Sequence, residues 1–319
     1  MNLNKIKKLS GDASFRIYYR KKYSNRSSII IYCKKEKKSN LLIYDAINQI
    51  LNQHRVKAPK LISQNYKKNY IEINDFGDLT VFKSLSKYKN NNLLYLKKII
   101  KLLNKLQKIK ITTAKTFLNS NYKIPFYSRK KMINESNLFI EWYLPKFIKG
   151  KNKNIIKKKL NKIIKNLLNK LKYKKKVFVH RDFHVSNIMI TKNGLGLIDS
   201  QDAVYGNIAY DLASLIDDVR FPTKIEEKNI IFNEYLRINN FLNKNNFKND
   251  FEILSVLRNL KIIGIFSRLS KRDKKNKYLK LIPYAWELIE NRINNNRKFV
   301  DLKIILDKNF PKKIRKNAN

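Results

Sequence analysis

Apolar positions follow two different periods along this chain. Before residue 76 they come in short runs, at 15–19, 28–33, 61–63 and 70–73, each bounded by polar or small residues, which predicts strands. The one longer segment in that part, 40–53, carries Leu41, Leu42, Ala46, Ile47 and Ile50 on one face and predicts a helix. Beyond residue 76 the helical period dominates. In 93–106, Leu93, Leu96, Ile99, Ile100, Leu103 and Leu106 share a face while lysines line the other. Comparable amphipathic segments recur at 126–143, 155–171, 209–219, 230–242, 251–269 and 279–293. Strands first and helices after predict an α+β chain in two lobes, a small sheet-rich N-lobe over residues 1–76 and a larger helical C-lobe over 77–319. The tail from 307 to 319 is basic and is expected to fray.

One stretch interrupts the helices. An apolar strand at 177–179 feeds a polar loop at 180–187, and two short strands, 188–190 and 195–198, are joined by the turn Lys192-Asn193-Gly194. The second of these strands delivers Asp199. His180-Arg181-Asp182 with Asn187 five residues after the aspartate has the catalytic-loop spacing of phosphotransferases, and Asp199 follows twelve residues after Asn187. The chemistry needs these residue types. Magnesium prefers hard oxygen ligands and keeps waters, so one carboxylate (Asp199) and one amide oxygen (Asn187) suffice beside nucleotide phosphates. An acceptor hydroxyl must lose its proton as the new bond forms, and Asp182 can take it. His180 and Arg181 are read as holding the loop's shape, and Asp211, at the start of the helix at 209–219, as bracing a neighbouring loop.

Other positions gain meaning from this centre. Gly11, Asp12, Ala13 and Ser14 form a small-residue turn before the strand that opens at Phe15, and such a turn can aim backbone N–H groups at phosphate, although ordinary hairpins share its composition. Asn74, Asp75 and Phe76 fall at the change from strands to helices, where a nucleotide base would lie. No V-A-I-K run occurs; Lys34 is the first candidate for the phosphate-pairing lysine, at the head of a solvated run ending at Lys38. Glu135 and Glu141 are among the few acids of a basic region. They either pair with neighbouring lysines or turn toward a polar substrate.

Charge and composition change this picture little. The formal charge is +47, from 71 Lys and Arg against 24 Asp and Glu. It is spread along the chain and accompanied by abundant Asn and Ile, which reads as compositional drift and not as a nucleic-acid site clustered on one face. No obligate nucleic-acid partner follows, and weak nonspecific polyanion binding stays open. The single cysteine, Cys33, excludes an internal disulfide and a cysteine-cluster metal site, and its apolar strand context places it in the core. No signal-peptide pattern and no run of spanning length occurs, so a cytoplasmic protein without a membrane span is expected.

The motifs together resemble the aminoglycoside phosphotransferase/choline kinase superfamily, and protein kinases less, because no A-P-E segment occurs and Asp199-Ser200-Gln201-Asp202 stands in place of D-F-G. Within that superfamily they are most similar to the bacterial anomeric kinases of N-acetylmuramate and N-acetylglucosamine. The blocks are Gly11 to Arg16, Asp75 to Asp78, Leu138 to Tyr143, His180 to His184 with Asn187, and Ile198 to Leu212, above all Gln201-Asp202-Ala203-Val204-Tyr205-Gly206. The resemblance implies a two-lobed protein-kinase-like fold, ATP and Mg2+ as cofactors, and a small sugar as substrate in peptidoglycan recycling. It implies that Gly11 to Phe15 cover the phosphates, that Asn74 to Phe76 are the hinge at the adenine, that Asp182 is the base, and that Asn187 and Asp199 hold the metal. Glu135, Glu141, Trp142 and Gln201 would lie near the sugar. Ser200 departs from the aromatic residue usual there. An aminoglycoside, choline or another alcohol as acceptor is the alternative within the fold, and a non-catalytic basic binding module the alternative outside it.

Overall fold

A computed structural model describes residues 6–9, 16–87 and 92–316. By contacts the chain forms two compact units, one of Met1–Pro125 with Val177–Tyr205 and one of Phe126–Lys176 with Gly206–Asn319. The lobe boundary expected near residue 76 is a change of element type, and this grouping by contact cuts the chain elsewhere.

The first unit is built on a five-stranded antiparallel sheet, β1 (Ile6–Lys8), β2 (Ile17–Lys22), β3 (Ser27–Tyr32), β4 (Leu61–Asn65) and β5 (Tyr70–Asn74), in the order β1-β2-β3-β5-β4. Helix α1 (Ser39–Gln53) crosses between β3 and β4. Its apolar stripe closes a core of Ile31, Cys33, Leu41, Tyr44, Ile71 and Ile73, so the lone cysteine is core as its strand context implied. Helices α2 (Val81–Lys87) and α3 (Asn92–Gln107) follow, then a hairpin of β6 (Thr113–Lys115) and β7 (Asn121–Lys123) that the sequence pattern did not announce.

The second contribution to this unit is the central stretch. Strand β8 (Lys176–Val179) leads into the polar loop; β9 (Ile188–Thr191) and β10 (Gly194–Leu197) form the expected hairpin, and β11 (Val204–Asn207) comes after it. The hairpin is fixed at two points. The Leu197 N–H donates to the Lys57 carbonyl at 2.7 Å and the Ile190 N–H to the Leu79 carbonyl at 2.8 Å. Gly196 permits a further close approach: a Cβ there would lie 2.7 Å from the Phe76 ring.

The second unit is helical. It contains α4 (Arg129–Ser136), α5 (Gly150–Asn169), α6 (Tyr210–Ile216), α7 (Ile225–Ile238), α8 (Lys244–Asp273), α9 (Ile282–Ile293), α10 (Val300–Asn309) and α11 (Lys312–Lys316). The helix expected over 126–143 is interrupted. It starts only at Arg129, where the Ser128 hydroxyl accepts the Lys131 N–H at 3.2 Å as N-cap, and after Ser136 the chain winds into a π turn, Phe139–Tyr143. The reason lies in packing: Gly264 of α8 meets the backbone of Leu138 and Phe139, and Phe139 and Tyr143 stack 5.2 Å apart in a cluster with Trp286 and Phe310. The tail also departs from expectation. Arg315 of α11 is buried, reaches Glu290 and Asp307 at 2.6 Å each, and lies 4.9 Å over the Trp286 ring, which docks α11. Among the described residues no helix is long and apolar enough to cross a membrane.

Candidate active site

The site grows out of β8. Phe178 and Val179 are fully buried, so the strand end is fixed before the chain turns polar at His180. His180 is itself fully buried, and its Nε2 donates to the Ile198 carbonyl at 3.1 Å, tying the loop to the strand that delivers Asp199. Burial pushes the imidazole pKa down and outweighs the nearby charges of Asp182 and Asp199, so the ring is a neutral brace. Arg181 adds a second brace by donating from Nη1 to the carbonyl of Asp202 at 3.3 Å.

Arg181 and Asp199 both occupy the left-handed region, at φ +75° and +63°. For a residue with a Cβ this costs on the order of 1 kcal/mol or more, and it persists only where the surroundings enforce it. The two strained residues flank the loop that holds Asp182 and Asn187.

Asn187 is oriented by its own loop. Its Nδ2 donates to the Asp182 carbonyl at 3.0 Å, and its backbone carbonyl accepts the Ile198 N–H at 3.0 Å. An amide whose nitrogen is held on one side presents its oxygen on the other, which suits a hard cation. The Asp199 Oδ1 accepts from Nη2 of Arg16 at 2.7 Å, although the two residues are 183 positions apart. The protein mass around Asp199 raises its carboxyl above the usual range; Arg16 opposes this, and Asp182 adds to it. Since 36% of the Asp199 side chain still meets solvent, this push is partly screened. A carboxylate on Asp199 and an amide oxygen on Asn187 are the hard donors that suit Mg2+ shared with phosphates and waters.

Arg16 closes the Gly11 to Arg16 block, but the motifs gave it no role. It is 6% exposed, whereas Lys34 is exposed on the turn after β3. The available signal was negative: β3 contains no lysine. Ser200 is held by α1, its hydroxyl donating to Asn48 Oδ1 at 2.6 Å inside the core, so a buried polar pair fills the place next to Asp199.

The remaining expected residues are placed as follows. Gly11, Asp12, Ala13, Ser14 and Phe15 lie outside the described residues. Asn74 accepts the Lys60 N–H, and Asp75 accepts from Ser27 at 2.7 Å, from the Gly77 N–H at 2.8 Å and from Arg20. Phe76 packs on Gly196 with the Lys57 ammonium 5.8 Å from its ring. Gln201 is buried and donates to Asp202 at 3.1 Å. In the second unit, Glu135 accepts from the Tyr127 hydroxyl at 2.6 Å and pairs with Lys261 at 2.7 Å, the ion-pair outcome weighed from the sequence. Glu141 is exposed and Trp142 half-buried on the π turn. Asp211 is fully buried in the first turn of α6.

Comparison with known proteins gives a consistent result. The sequence model of the phosphotransferase enzyme family matches residues 5–242. An N-acetylmuramate/N-acetylglucosamine kinase of Neisseria meningitidis is 29% identical over 292 residues, covering 86% of this chain and 81% of that protein. The Pseudomonas aeruginosa protein of the same name is 23% identical, covering 92% and 85%. Among solved structures, the ADP-bound aminoglycoside phosphotransferase APH(2'')-Ib superposes with a TM-score of 0.62 at 16% identity, covering 91% of this chain and 93% of that one. The fold is therefore the two-lobed, α+β, kinase-like one.

Proposed function

The chain belongs to the phosphotransferase enzyme family, and from that premise we propose that it is an ATP- and Mg2+-dependent kinase of the anomeric (C1) hydroxyl of N-acetylmuramate or N-acetylglucosamine, acting in peptidoglycan recycling. The observation that supports this reading is that the loop after β8, which carries Asp182 and Asn187, is tied to the chain just before Asp199 by the His180–Ile198 and Ile198–Asn187 hydrogen bonds, with His180 neutral. The name shared by the Neisseria and Pseudomonas relatives supports the acceptor.

In the reaction, Asp182 orients the sugar's C1 hydroxyl and takes its proton as the oxygen bonds to the γ-phosphorus, with ADP as leaving group. Asn187 and Asp199 would hold the metal, which when bound neutralises phosphate charge and keeps the transferring group in line. Gly11 to Phe15 would cover the phosphates. Asn74 to Phe76 would form the adenine hinge. Glu135, Glu141, Trp142 and Gln201 are the proposed sugar neighbours.

Two measurements test the proposal. Asp182→Asn is expected to keep the wild-type melting temperature and lose roughly 10²–10⁴ in turnover. Unchanged turnover sinks the base assignment. The acceptor is tested with free N-acetylmuramate and N-acetylglucosamine, their methyl glycosides, an aminoglycoside and choline. Only the free sugars should be phosphorylated, giving products without a reducing end; phosphorylation of a methyl glycoside or an alcohol instead overturns C1 transfer.

A further inference from the structure

We propose that Arg16 is the fixed cation that grips the nucleotide phosphates here, the task performed in kinase-like sites by a lysine on the third strand; this rests on the nucleotide-dependent transfer proposed above. Strand β3 carries Ser-Ser-Ile-Ile-Ile-Tyr and no lysine. The basic run after it is directed elsewhere. Lys34, Lys35 and Lys37 are exposed on the turn, and the Lys38 ammonium sits 4.5 Å from the Tyr66 ring.

Arg16 has the opposite surroundings. It immediately precedes β2, is 6% exposed, and donates from Nη2 to Asp199 at 2.7 Å and from Nη1 to Asn40 at 3.4 Å. The rings of Tyr18 and Tyr44 flank its guanidinium at 6.0 and 5.8 Å. Kinase-like sites pair their lysine with a glutamate of the following helix. Here α1 supplies an amide, Asn40, and an aromatic face, Tyr44, while its acid Asp45 is bonded to Gln49. The carboxylate that Arg16 grips is thus Asp199, the proposed metal ligand.

This arrangement has a consequence for binding. A buried guanidinium is stable only with an anion against it. When Asp199 turns its oxygens to a metal, the charge of Arg16 becomes available to phosphate oxygens. The planar guanidinium fork matches phosphate oxygens in pairs, which a lysine ammonium does not, so the exchange of lysine for arginine alters geometry as well as position. The two rings and the amide limit where that fork can point, so the cation is set before the nucleotide arrives.

The test measures ADP binding by calorimetry, with and without Mg2+, next to steady-state kinetics and melting temperature. Arg16→Met should weaken ADP binding about ten- to hundredfold, in line with loss of a charge-assisted contact. It should also raise the KM for ATP and lower kcat, while Lys34→Met changes neither. Arg16→Lys should recover part of the affinity. If the methionine variant does not fold, Arg16→Gln, which keeps a neutral polar side chain but removes the charge, must show the same loss. Folded Met or Gln variants that bind ADP as the wild type does, or a loss that follows Lys34 instead, overturn the inference. Wild-type protein that binds ADP but phosphorylates no amino sugar refutes the proposed acceptor and leaves Arg16 standing. Wild-type protein that binds no ADP refutes both.

Discussion

Replacing Gly264 with alanine should destabilise this protein, against the helix-propensity rule. Gly264 lies within α8, where alanine ordinarily gains about 1 kcal/mol over glycine. Here an added Cβ would stand 2.2 Å from the carbonyl carbon of Leu138, 2.4 Å from the N of Phe139 and 2.5 Å from the Leu138 oxygen. Ordinary contact begins at 3.4 Å, so α8 and the π turn must separate by more than an ångström. The obstacle is backbone, and it is anchored: Phe139 packs on Trp286 and Phe310 at 5.6 and 5.2 Å. Overpacking of a well-filled core costs about 1–3 kcal/mol, and more where backbone must move. The upper part of that range applies here, which leaves a net loss of about 2 kcal/mol after the propensity gain. At about 2–4 °C per kcal/mol for a unit of this size, the midpoint should fall by about 4–8 °C. Thermal unfolding followed by circular dichroism measures it, with Asn166→Ala on the exposed face of α5 as a control expected to be neutral or slightly stabilising. A Gly264→Ala midpoint at or above wild type refutes the close approach.

The buried acid Asp217 gives a pH prediction. It pairs with Lys228 at 3.0 Å and with Arg292 at 3.0 Å, and although burial opposes its charge, Arg292 and then Lys228 hold its carboxyl below the usual range. A depressed folded-state pKa contributes stability above the unfolded value of about 3.9 that is lost as pH falls through the folded one. The wild type should therefore lose stability below about pH 4, whereas Asp217→Asn should be less stable at pH 7, by about 3 kcal/mol or more, and lose less on acidification. Equal acid slopes in urea titrations of the two proteins would contradict this. Gly196→Ala should push on the Phe76 ring 2.7 Å away, lowering the melting temperature and raising the KM for ATP; in a Phe76→Ala background the same change should cost much less, and additive effects would count against a shared contact.

Much of the fold was legible because it is local. Short apolar runs gave four of the five sheet strands and missed β1, which is only three residues long and two-thirds lysine, and one-sided leucines and isoleucines gave α1, α3 and α5 within a few residues of their observed ends. The loop proposed to be catalytic was legible for a stronger reason, since Asp182 and Asn187 precede the β9–β10 hairpin and Asp199 follows it, so their spacing along the chain is covalent. The segment 126–143 was misread as one helix because periodicity records which face is apolar and not what presses on it; the backbone of α8 at Gly264 decides that. The docked α11 was missed for the same cause, because Arg315 looks like solvated charge until Glu290, Asp307 and Trp286 surround it.

By itself, then, the sequence supplied the groups from which the proposed chemistry is built: which acids, which amide, and at what separation along the chain. The tertiary structure alone decided which cation faces Asp199. With so many lysines and arginines, charge carries no positional information, and the nearest basic run in sequence pointed to Lys34. Burial selects among equals. It costs too much to enclose a guanidinium without an anion, so the enclosure of Arg16 against Asp199, 183 residues away, marks that one charge as placed.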